Sequence, residues 1–376
     1  MFEAFAGIGA QYQALKNIQN EKMWKINQLG IIEWFLPAII AYEAIHHNPT
    51  KISKQTFSDN VIVSFDSKKP ANNNSFKRKA TNSYIGFWLN QSKQISNNLF
   101  DISKLKYQQI PNDIDIFTYS FPCQDISNQG KQKGFKKNEK TRSGLLWEID
   151  RLLTGMNKDK NKTMPKYLLM ENVKSIVSKK FLSTFNMWID KLSKLGYESK
   201  IYLLNAADFG SCQNRERVFL LSVLKTHKKK VNFQFQEFKN VSNKKPLKQI
   251  LDKKNQFNKK FNKFTIIETQ KNKNNIKRYV LKNYTNFQSE NGIYDIHYSG
   301  PTLTASGALS RIKLYFDKNQ IREMLPVECF RYMGFKDKDY YAVRNTNLVS
   351  ESKMIYLCGN SICIEILESI FRSLKF

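Results

Sequence analysis

Residues 114–121, IDIFTYSF, form an apolar run that leads into Pro122-Cys123-Gln124. A second apolar run, KYLLM at residues 166–170, leads into Glu171-Asn172-Val173, and Glu171 lies 48 residues after Cys123. Short apolar runs that end in turn residues are typical of buried parallel strands. Open α/β sheets bind their ligands at the carboxyl ends of such strands. The two runs therefore predict a site where a cysteine nucleophile and a glutamate acid act on an electron-poor carbon.

Strands and helices alternate from residue 1 to about residue 224, which predicts an α/β fold with a doubly wound, mainly parallel sheet. The clearest helix is predicted over residues 180–195, where apolar residues recur every three or four positions before Gly196. Residues 50–98 are polar and predict a surface insertion. Regular alternation is lost from residue 225 to about residue 324, which predicts a smaller, irregular second domain. A short loop and an amphipathic helix are expected over residues 354–376.

The charge of the chain favours a nucleic-acid partner. Its 376 residues include 61 Lys+Arg and 32 Asp+Glu, a formal net charge of +29. Between Lys225 and Lys282 there are 18 basic residues and only three acidic ones, so about half of the excess lies in one stretch. The abundance of Lys, Asn, Ile and Phe indicates an AT-rich genome, which by itself raises surface lysine content. Clustered positive charge attracts polyanions, and we therefore expect nucleic acid.

Cysteine and histidine usage predicts no disulfide framework and no metal site. The five cysteines are scattered without a CxxC pair. His46 and His47 are adjacent and cannot share a helix face, whereas His227 and His297 are isolated. The N-terminus shows no leader pattern, and no apolar run approaches the ~20 residues of a membrane span. We expect a soluble, intracellular protein.

The first residues predict a cofactor site. Residues 2–5 predict a strand, and Ala6-Gly7-Ile8-Gly9 predicts a tight turn into a helix, where a ligand can approach the backbone. Glu33 ends the next apolar run, where nucleotide-binding α/β folds place an acid that binds ribose. Asp101, after Leu99-Phe100, is either a second such acid or a helix N-cap. The third glycine of the dinucleotide pattern is absent, so a compact adenosine cofactor is favoured over NAD.

Together and in this order, the motifs resemble those of the cytosine-5 DNA methyltransferase family. Residues 5–9 are similar to its cofactor loop, Pro122-Cys123-Gln124 to its nucleophile motif and Glu171-Asn172-Val173 to its glutamate motif. Three more motifs are similar to the family's Q-x-R-x-R, late helix-loop and C-terminal G-N-S-[IV] motifs; they are residues 213–217, 322–335 and 359–362. Residues 300–307, GPTLTASG, resemble the CpG-specific enzymes of wall-less bacteria. The 50–98 insertion is longer than the family usually carries.

The resemblance implies a doubly wound sheet of the S-adenosylmethionine-dependent methyltransferase type plus a target-recognition domain. Residues 1–230, with the surface insertion 50–98 and completed by residues 350–376, would form the catalytic and cofactor-binding domain. Residues 231–349 would form the target-recognition domain and hinge. The protein would be a monomeric enzyme of the bacterial cytoplasm, associated with the nucleoid.

The resemblance also implies the chemistry. Cys123 would attack C6 of a flipped-out cytosine in double-stranded DNA, while Glu171 holds or protonates N3. Arg217 and Arg215 would neutralise charge near that nucleotide. The cofactor would be S-adenosylmethionine, with no metal. The residues expected to bind it are Phe5, Gly7, Ile8, Glu33, Trp34, Asp101, Ile102, Pro122, Leu145, Asn360, Ser361 and Ile362.

Two segments are expected to contact DNA besides the lysines of the variable region, which would bind phosphates. Residues 127–141, with two glycines and five lysines, suit a mobile lid that closes on DNA and fills the gap left by the flipped base. Residues 304–311 carry small side chains that allow close approach to base edges in the major groove. The residues expected to contact DNA are Ser127, Gln129, Gly130, Lys131, Lys133, Gln213, Thr304, Ala305, Ser306, Gly307 and Arg311.

Three other classes of protein share part of this pattern. The tRNA-methylating branch of the family typically carries Cys-Phe-Thr, but the only Cys-Phe here is Cys329-Phe330, followed by Arg331. A non-catalytic DNA-binding relative would not need an intact Cys123 and Glu171. An amino-methyltransferase would carry an Asp/Asn-Pro-Pro-aromatic motif, which the sequence lacks. The tRNA enzyme and the non-catalytic relative remain the alternatives.

Overall fold

The structure is a computed structural model that describes residues 1–123, 125–126, 134, 143–238, 244–252, 257–269, 275–316 and 320–376. Contacts divide the chain into two compact units. The first comprises Met1–Leu204, Glu216–Glu237 and Ile370–Phe376, and the second comprises Asn205–Arg215 and Phe238–Ser369. This division groups residues 205–215 and 350–369 with the second unit, unlike the functional division expected from the sequence. The functional domain boundaries stay a prediction.

The first unit contains a six-stranded sheet. Its strands are β1 (Phe2–Ala4), β2 (Gly30–Ile32), β3 (Ile116–Tyr119), β4 (Tyr167–Val173), β5 (Tyr197–Asn205) and β6 (Glu216–Leu224). They lie in the order β2-β1-β3-β4-β6-β5. Strands β1 to β4 are parallel, and β6 runs antiparallel to β4. The apolar runs at residues 114–121 and 166–170 form β3 and β4. These two strands are neighbours, with Tyr119 in register with Met170.

Helices cover both faces of this sheet. They are α1 (Ala10–Lys22), α2 (Leu36–His46), α3 (Asn73–Ala80), α4 (Tyr84–Gln94), α5 (Leu146–Lys158), α6 (Leu182–Lys194) and α7 (Lys225–Lys230). Apolar residues of α5 and α6 form one core cluster with Ile32 of β2, whereas its neighbour Ile31 packs with Tyr42 of α2. Successive side chains of a strand point to opposite faces. The predicted doubly wound, mainly parallel sheet is confirmed, as is the predicted helix that corresponds to α6.

The prediction of a surface insertion over residues 50–98 is wrong for its second half. Helix α4 packs against α2 and buries Phe87, Trp88 and Leu89 to 3% exposure or less. The Ser83 Oγ accepts a hydrogen bond from the Gly86 N–H and caps this helix. Three consecutive apolar residues between polar flanks give little periodicity, which is why the sequence did not indicate a core helix.

The second unit contains a five-stranded sheet in place of the irregular domain that was predicted. Its strands are β7 (Ile266–Glu268), β8 (Arg278–Leu281), β9 (Gly292–Asp295), β10 (Lys313–Tyr315) and β11 (Ile321–Glu323), in the order β11-β10-β9-β8-β7. Each strand has only three or four residues, which is too short for a clear alternation pattern. Phe261, Leu281, Ile293 and Ile321 form its small apolar core.

Four helices follow this sheet. They are α8 (Pro326–Tyr332), α9 (Asp337–Arg344), α10 (Glu351–Asn360) and α11 (Ile364–Arg372). The loop expected at the start of residues 354–376 is wrong, because most of it belongs to α10. Within the described part of the chain, Glu351–Arg372 is the one helical stretch with the length and composition of a membrane span. In its most apolar window, 67% is buried inside the protein, as in the core helices of globular proteins.

The late helix-loop motif is held by a buried ion pair. The Arg322 guanidinium donates to both carboxylate oxygens of Glu328, at 2.7 and 2.6 Å, and both side chains are almost fully buried. Glu328 also accepts the backbone N–H groups of Leu325 and Asp252, at 2.8 Å each. A bidentate pair with these further bonds satisfies the charge inside the protein. This part of the motif is structural.

Candidate active site

Cys123 and Glu171 lie at the same edge of the first unit's sheet. Cys123 follows β3 by four residues, and Glu171 is the residue after Met170, the register partner of Tyr119. Because β3 and β4 are adjacent and parallel, their carboxyl ends meet at one edge. Cys123 is partly exposed, and Glu171 is 9% exposed. The sheet therefore brings the two predicted catalytic residues to one side of the fold.

Three side chains hold the turn that carries Cys123. Asn172 Nδ2, next to Glu171, donates to the Phe121 carbonyl at 3.2 Å. Ser143 Oγ donates to the Pro122 carbonyl at 2.7 Å, and the Ser175 Oγ donates to the Ile126 carbonyl at 2.9 Å. Ser143 is fully buried. Sequence reasoning missed Ser143 and Ser175, because hydroxyl groups that bond distant carbonyls leave no periodic signal.

Glu171 forms an ion pair with Arg217. The Arg217 Nε lies 3.1 Å from Glu171 Oε1, and Arg217 also donates from Nη1 to the Glu216 carbonyl at 2.8 Å. The two residues are diagonal neighbours on β4 and β6, because Val173 is in register with Arg217. Both side chains are mostly buried, with 11% of Glu171 and 16% of Arg217 exposed. The guanidinium therefore orients the carboxylate within the site.

Arg215 and Gln213 have structural roles in this conformation and not the predicted substrate contacts. The Arg215 guanidinium donates to the carbonyls of Leu303, Gly359 and Ser361, at 2.7, 3.0 and 2.8 Å. Gln213 is fully buried; its Oε1 accepts the Leu303 N–H, and its Nε2 donates to the Tyr332 carbonyl. A side chain with no exposed surface cannot reach DNA. These two predictions are corrected accordingly.

The cofactor loop, residues 5–9, has an unusual backbone. Phe5, Gly7 and Gly9 all have positive φ angles, of 58, 59 and 73°. The N–H groups of Phe5 and Ala6 donate to the Ile32 carbonyl, at 2.8 and 3.3 Å. A Cβ on Gly7 would meet nothing within 4 Å, so open space lies on that side of the loop. The loop therefore leaves room for a ligand to approach its backbone.

Glu33 is tied directly to this loop. Its Oε2 accepts the Gly7 N–H at 2.9 Å, and its Oε1 accepts the Phe35 N–H at 2.8 Å. Burial raises the pKa of Glu33 to about 7, against the opposing effect of the hydrogen bonds from the Phe35, Gly7 and Trp34 backbone. The carboxyl group sits at the carboxyl end of β2, where the sequence placed a ribose-binding acid.

Asn98 is a further residue that sequence reasoning missed. Its side-chain oxygen accepts the N–H groups of Glu33 and Phe100, at 3.1 and 2.9 Å. Its nitrogen donates to the Glu33 carbonyl and to Ser92 Oγ, both at 3.0 Å. The amide is 3% exposed and has all four of its bonds satisfied. It therefore fixes Glu33 relative to the segment that leads to Asp101.

The other expected cofactor residues of the first unit differ in burial and in hydrogen bonding. Asp101 caps a short 3-10 helix, since its Oδ1 accepts the Ser103 N–H at 2.9 Å, so the N-cap interpretation is confirmed. Ile102 is 3% exposed and belongs to the core. Trp34 and Leu145 are partly buried. A cofactor role for Asp101, Ile102, Pro122 and Leu145 stays a prediction.

The remaining cofactor residues lie in the second unit. Asn360 ends α10 and is exposed, whereas Ser361 and Ile362 are 8 and 4% exposed. The preceding Gly359 packs so closely on the backbone of Thr304 and Ala305 that a Cβ would collide with it. The predicted recognition segment and the G-N-S motif therefore touch within this unit.

The predicted recognition segment, residues 304–311, is a compact turn that is exposed at Ser306, Gly307 and Arg311 and half-buried elsewhere. Thr304 Oγ1 donates to the Ser306 carbonyl at 2.7 Å, and Ser310 Oγ donates to the Gly307 carbonyl at 2.8 Å. Ser306 and Gly307 are exposed, Gly307 with a φ of 80°. Arg311 is also exposed and pairs with Glu290 at 2.9 Å. The other expected DNA contacts, Ser127, Gln129, Gly130, Lys131 and Lys133, lie outside the described residues, as does Gln124.

No cluster of three or more His, Cys, Asp or Glu side chains suited to a metal ion occurs among the described residues. A buried acid lies beside a glycine loop at the carboxyl edge of a parallel sheet, and a cysteine and an Arg-paired glutamate follow on the next two strands, β3 and β4. This arrangement is typical of enzymes that bind a nucleotide cofactor and use a nucleophile.

Comparison with known proteins names the family. Residues 71–375 match the family described as C-5 cytosine-specific DNA methylase. The chain is 43% identical to the orphan methyltransferase M.SssI of Spiroplasma monobiae, over 98% of this chain and 95% of that one. It is 32% identical to the type II methyltransferase M2.ScrFI of Lactococcus lactis subsp. cremoris, over 100% and 98% of the two chains. The chain belongs to the C-5 cytosine-specific DNA methylase family and is a DNA (cytosine-5)-methyltransferase, which confirms the resemblance found in the motifs.

Solved structures agree on the fold. The Dnmt2 methyltransferase of S. pombe superposes with a TM-score of 0.61 at 16% identity, covering 98% of this chain and 96% of that chain. A putative DNA modification methyltransferase encoded within an E. coli prophage gives a TM-score of 0.53 at 16% identity, covering 99% and 97%. At this identity the likeness concerns the fold, which is that of the S-adenosylmethionine-dependent methyltransferases.

Proposed function

We propose that this enzyme transfers a methyl group from S-adenosylmethionine to C5 of a flipped-out cytosine in double-stranded DNA, at CpG sites, through a covalent adduct with Cys123. The observation that carries the proposal is that Cys123, which follows β3, and the Glu171–Arg217 pair at the end of the adjacent parallel strand β4 lie at the same edge of the sheet. We further propose that it acts as a monomer in the bacterial cytoplasm, on the nucleoid.

Each catalytic residue has a task in this mechanism. The Cys123 thiolate adds to C6, which breaks the aromaticity of the ring and makes C5 nucleophilic. Glu171 contacts N3 and supplies a proton there, so that the ring can accept the electron pair from sulfur. Arg217 holds Glu171 in place and adds positive charge where negative charge develops. Once C5 has taken up the methyl group that the cofactor would supply, the C5 proton would pass to a base such as water and the N3 proton would return to Glu171. The C6–sulfur bond would then break, which restores the ring and frees the Cys123 thiolate. The base must leave the duplex for this, at a cost of a few kcal/mol.

The residues present fit an adenosine cofactor with a short anionic or zwitterionic tail. Open space beside Gly7 allows close approach to the loop, and the buried Glu33 can accept hydrogen bonds from two ribose hydroxyls. When bound, S-adenosylmethionine supplies an electrophilic methyl group. Within the first unit, Glu33, Trp34, Asp101 and Ile102 would hold its adenosine. Phe5, Gly7, Ile8 and Leu145 would hold its methionine end.

Glu33 predicts how cofactor binding depends on pH. The pKa of this carboxyl group is raised to about 7 by burial, so it is mostly protonated below that pH and ionised above it. The ionised form accepts two ribose hydroxyls, so S-adenosylmethionine affinity should rise with pH and level off above about pH 8. At pH 6 the affinity should be about tenfold lower than on that plateau, since about a tenth of the group is then ionised. Calorimetry at constant ionic strength measures this.

The control for this experiment is Glu33→Gln. It should bind more weakly at pH 8, because charged hydrogen bonds contribute about 1.5–3 kcal/mol. Its residual pH dependence reports the other acids with a pKa raised to about 7 by burial, which are Glu3, Glu43 and Glu365. An identical pH profile in Glu33→Gln and in the wild type would remove Glu33 from the cofactor site.

Two assays identify the nucleic-acid substrate and the DNA sequence at which it is methylated. Label from S-adenosylmethionine should enter duplex DNA and not tRNA, and bisulfite sequencing of the treated DNA should show methylation confined to CpG. The exposed turn at residues 306–307 and Arg311 would contact base edges in the major groove, while lysines of the second unit contact phosphates. Methylation at a longer consensus would refute CpG alone, whereas label in tRNA would favour the RNA-modifying alternative.

A further inference from the structure

Adjacent histidines at the end of α2 have different partners. The His46 Nε2 lies 3.0 Å from the Ile8 carbonyl of the cofactor loop. The His47 Nε2 lies 3.0 Å from Ser96 Oγ and 3.9 Å from Glu43, away from the loop. The sequence predicted only that the two adjacent histidines would not share a metal site. Only one of them contacts the proposed cofactor site.

The tautomer of His46 follows from its partner. A carbonyl oxygen only accepts hydrogen bonds, so Nε2 must carry the proton and donate it. Burial, reinforced by the charge of Lys16, lowers the pKa of His46 to about 3, so the ring is neutral at physiological pH. The rings of Tyr12 and Tyr42 pack on it, with centroids 5.1 and 4.6 Å away. His46 is therefore a neutral donor held in one orientation.

His46 also explains the glycine that ends the loop. A Cβ on Gly9 would collide with the His46 ring and with the Tyr42 ring. Gly9 has a φ of 73° and is the N-cap of α1, so the loop needs a glycine there for its backbone as well. The His46 ring therefore contacts the loop at Gly9 and donates a hydrogen bond to the Ile8 carbonyl. Both contacts lie where the loop leads into α1.

We infer that His46 is a positioning residue of the S-adenosylmethionine site, which holds the positive-φ loop at residues 5–9 in its binding shape. This inference rests on the function proposed above. Glu33 fixes the loop from one side by bonding the Gly7 N–H, and His46 fixes the next residue by bonding the Ile8 carbonyl. Without these two bonds, the loop with its three positive φ angles would adopt other conformations. Cofactor binding would then have to order the loop each time, and this cost would weaken the affinity.

The test compares three variants. His46→Leu removes the donor, whereas His46→Gln keeps an amide N–H near the position of Nε2, and His47→Leu removes a ring that does not touch the loop. We expect His46→Leu to weaken S-adenosylmethionine binding about tenfold, the effect of one lost hydrogen bond and a looser loop. His46→Gln should remain within about threefold of the wild type, and His47→Leu within about twofold. Calorimetry with S-adenosylmethionine and with S-adenosylhomocysteine gives these affinities.

Steady-state kinetics of His46→Leu distinguish a positioning role of His46 from general damage to the fold. KM for S-adenosylmethionine should rise in His46→Leu while kcat at saturating cofactor changes less than threefold, and duplex DNA affinity stays unchanged. Equal binding by His46→Leu and the wild type would overturn the inference, as would equal losses in His46→Leu and His46→Gln. If the wild type itself does not bind S-adenosylmethionine, the proposed function fails instead.

Discussion

Replacing Cys123 by serine is expected to abolish methyl transfer while leaving the affinities for DNA and S-adenosylmethionine within about threefold of wild type. A hydroxyl is far less ionised than a thiol at neutral pH and is a weaker nucleophile, so addition to C6 should fall below detection. The side chains that hold this turn bond backbone carbonyls and not the sulfur, so the turn should keep its shape. Label transfer from S-adenosylmethionine measures the loss, and filter binding or calorimetry measures the affinities.

The covalent step has its own test in a duplex that carries 5-fluorocytosine at the target. Fluorine replaces the hydrogen at C5 of this base and cannot be removed as a proton would be. The wild type should therefore remain covalently bonded to the DNA after methyl transfer, whereas Cys123→Ser should form no covalent bond. The structure describes all five cysteines, and the other four are buried. Burial also raises the pKa of Cys212 to about 12, which leaves it as an unreactive thiol. Methyl transfer by Cys123→Ser, or a DNA adduct on another cysteine, would contradict the mechanism.

Glu171→Gln is expected to lower kcat by about 10²–10⁴-fold, the usual contribution of a positioned acid or base, with DNA affinity changed less than about threefold. The amide can still accept a hydrogen bond from Arg217 and contact the base, but it cannot deliver a proton to N3. Single-turnover methylation with saturating DNA and cofactor isolates this chemical step. The 5-fluorocytosine adduct should also form more slowly, because thiolate attack needs the electron withdrawal at N3.

Glu216→Gln is the matched control for this substitution. Glu216 is a neighbouring glutamate that pairs with Lys174 at 3.0 Å and is about half exposed. Its exchange for glutamine makes the same chemical change beside the site, and it should leave kcat within about twofold. If Glu171→Gln loses DNA affinity in proportion to kcat, Glu171 would be a binding or structural residue and its role as an acid would be excluded.

Local patterns were sufficient to predict the first sheet and the strand ends that carry the candidate site. The apolar runs at residues 114–121 and 166–170 became β3 and β4, because parallel buried strands need little besides continuous apolar residues. The glycine turn after β1 and the acid after β2 were likewise placed correctly, since turn chemistry and strand ends are local. The α4 helix and the second sheet were missed, because short apolar segments acquire their burial only from partners far along the chain.

The family and the strand ends could therefore be predicted from the amino-acid sequence, because both depend on which residues follow which. The reacting groups stay a prediction from the same motifs. The folded chain alone shows which polar side chains lie at the candidate site and which stabilise the scaffold. Arg215 and Arg217 are two positions apart, yet one bonds three buried carbonyls and the other orients Glu171. The same holds for Asn98 and His46, whose partners lie 65 and 38 residues away. A hydrogen bond depends on distance in space, which sequence spacing does not specify.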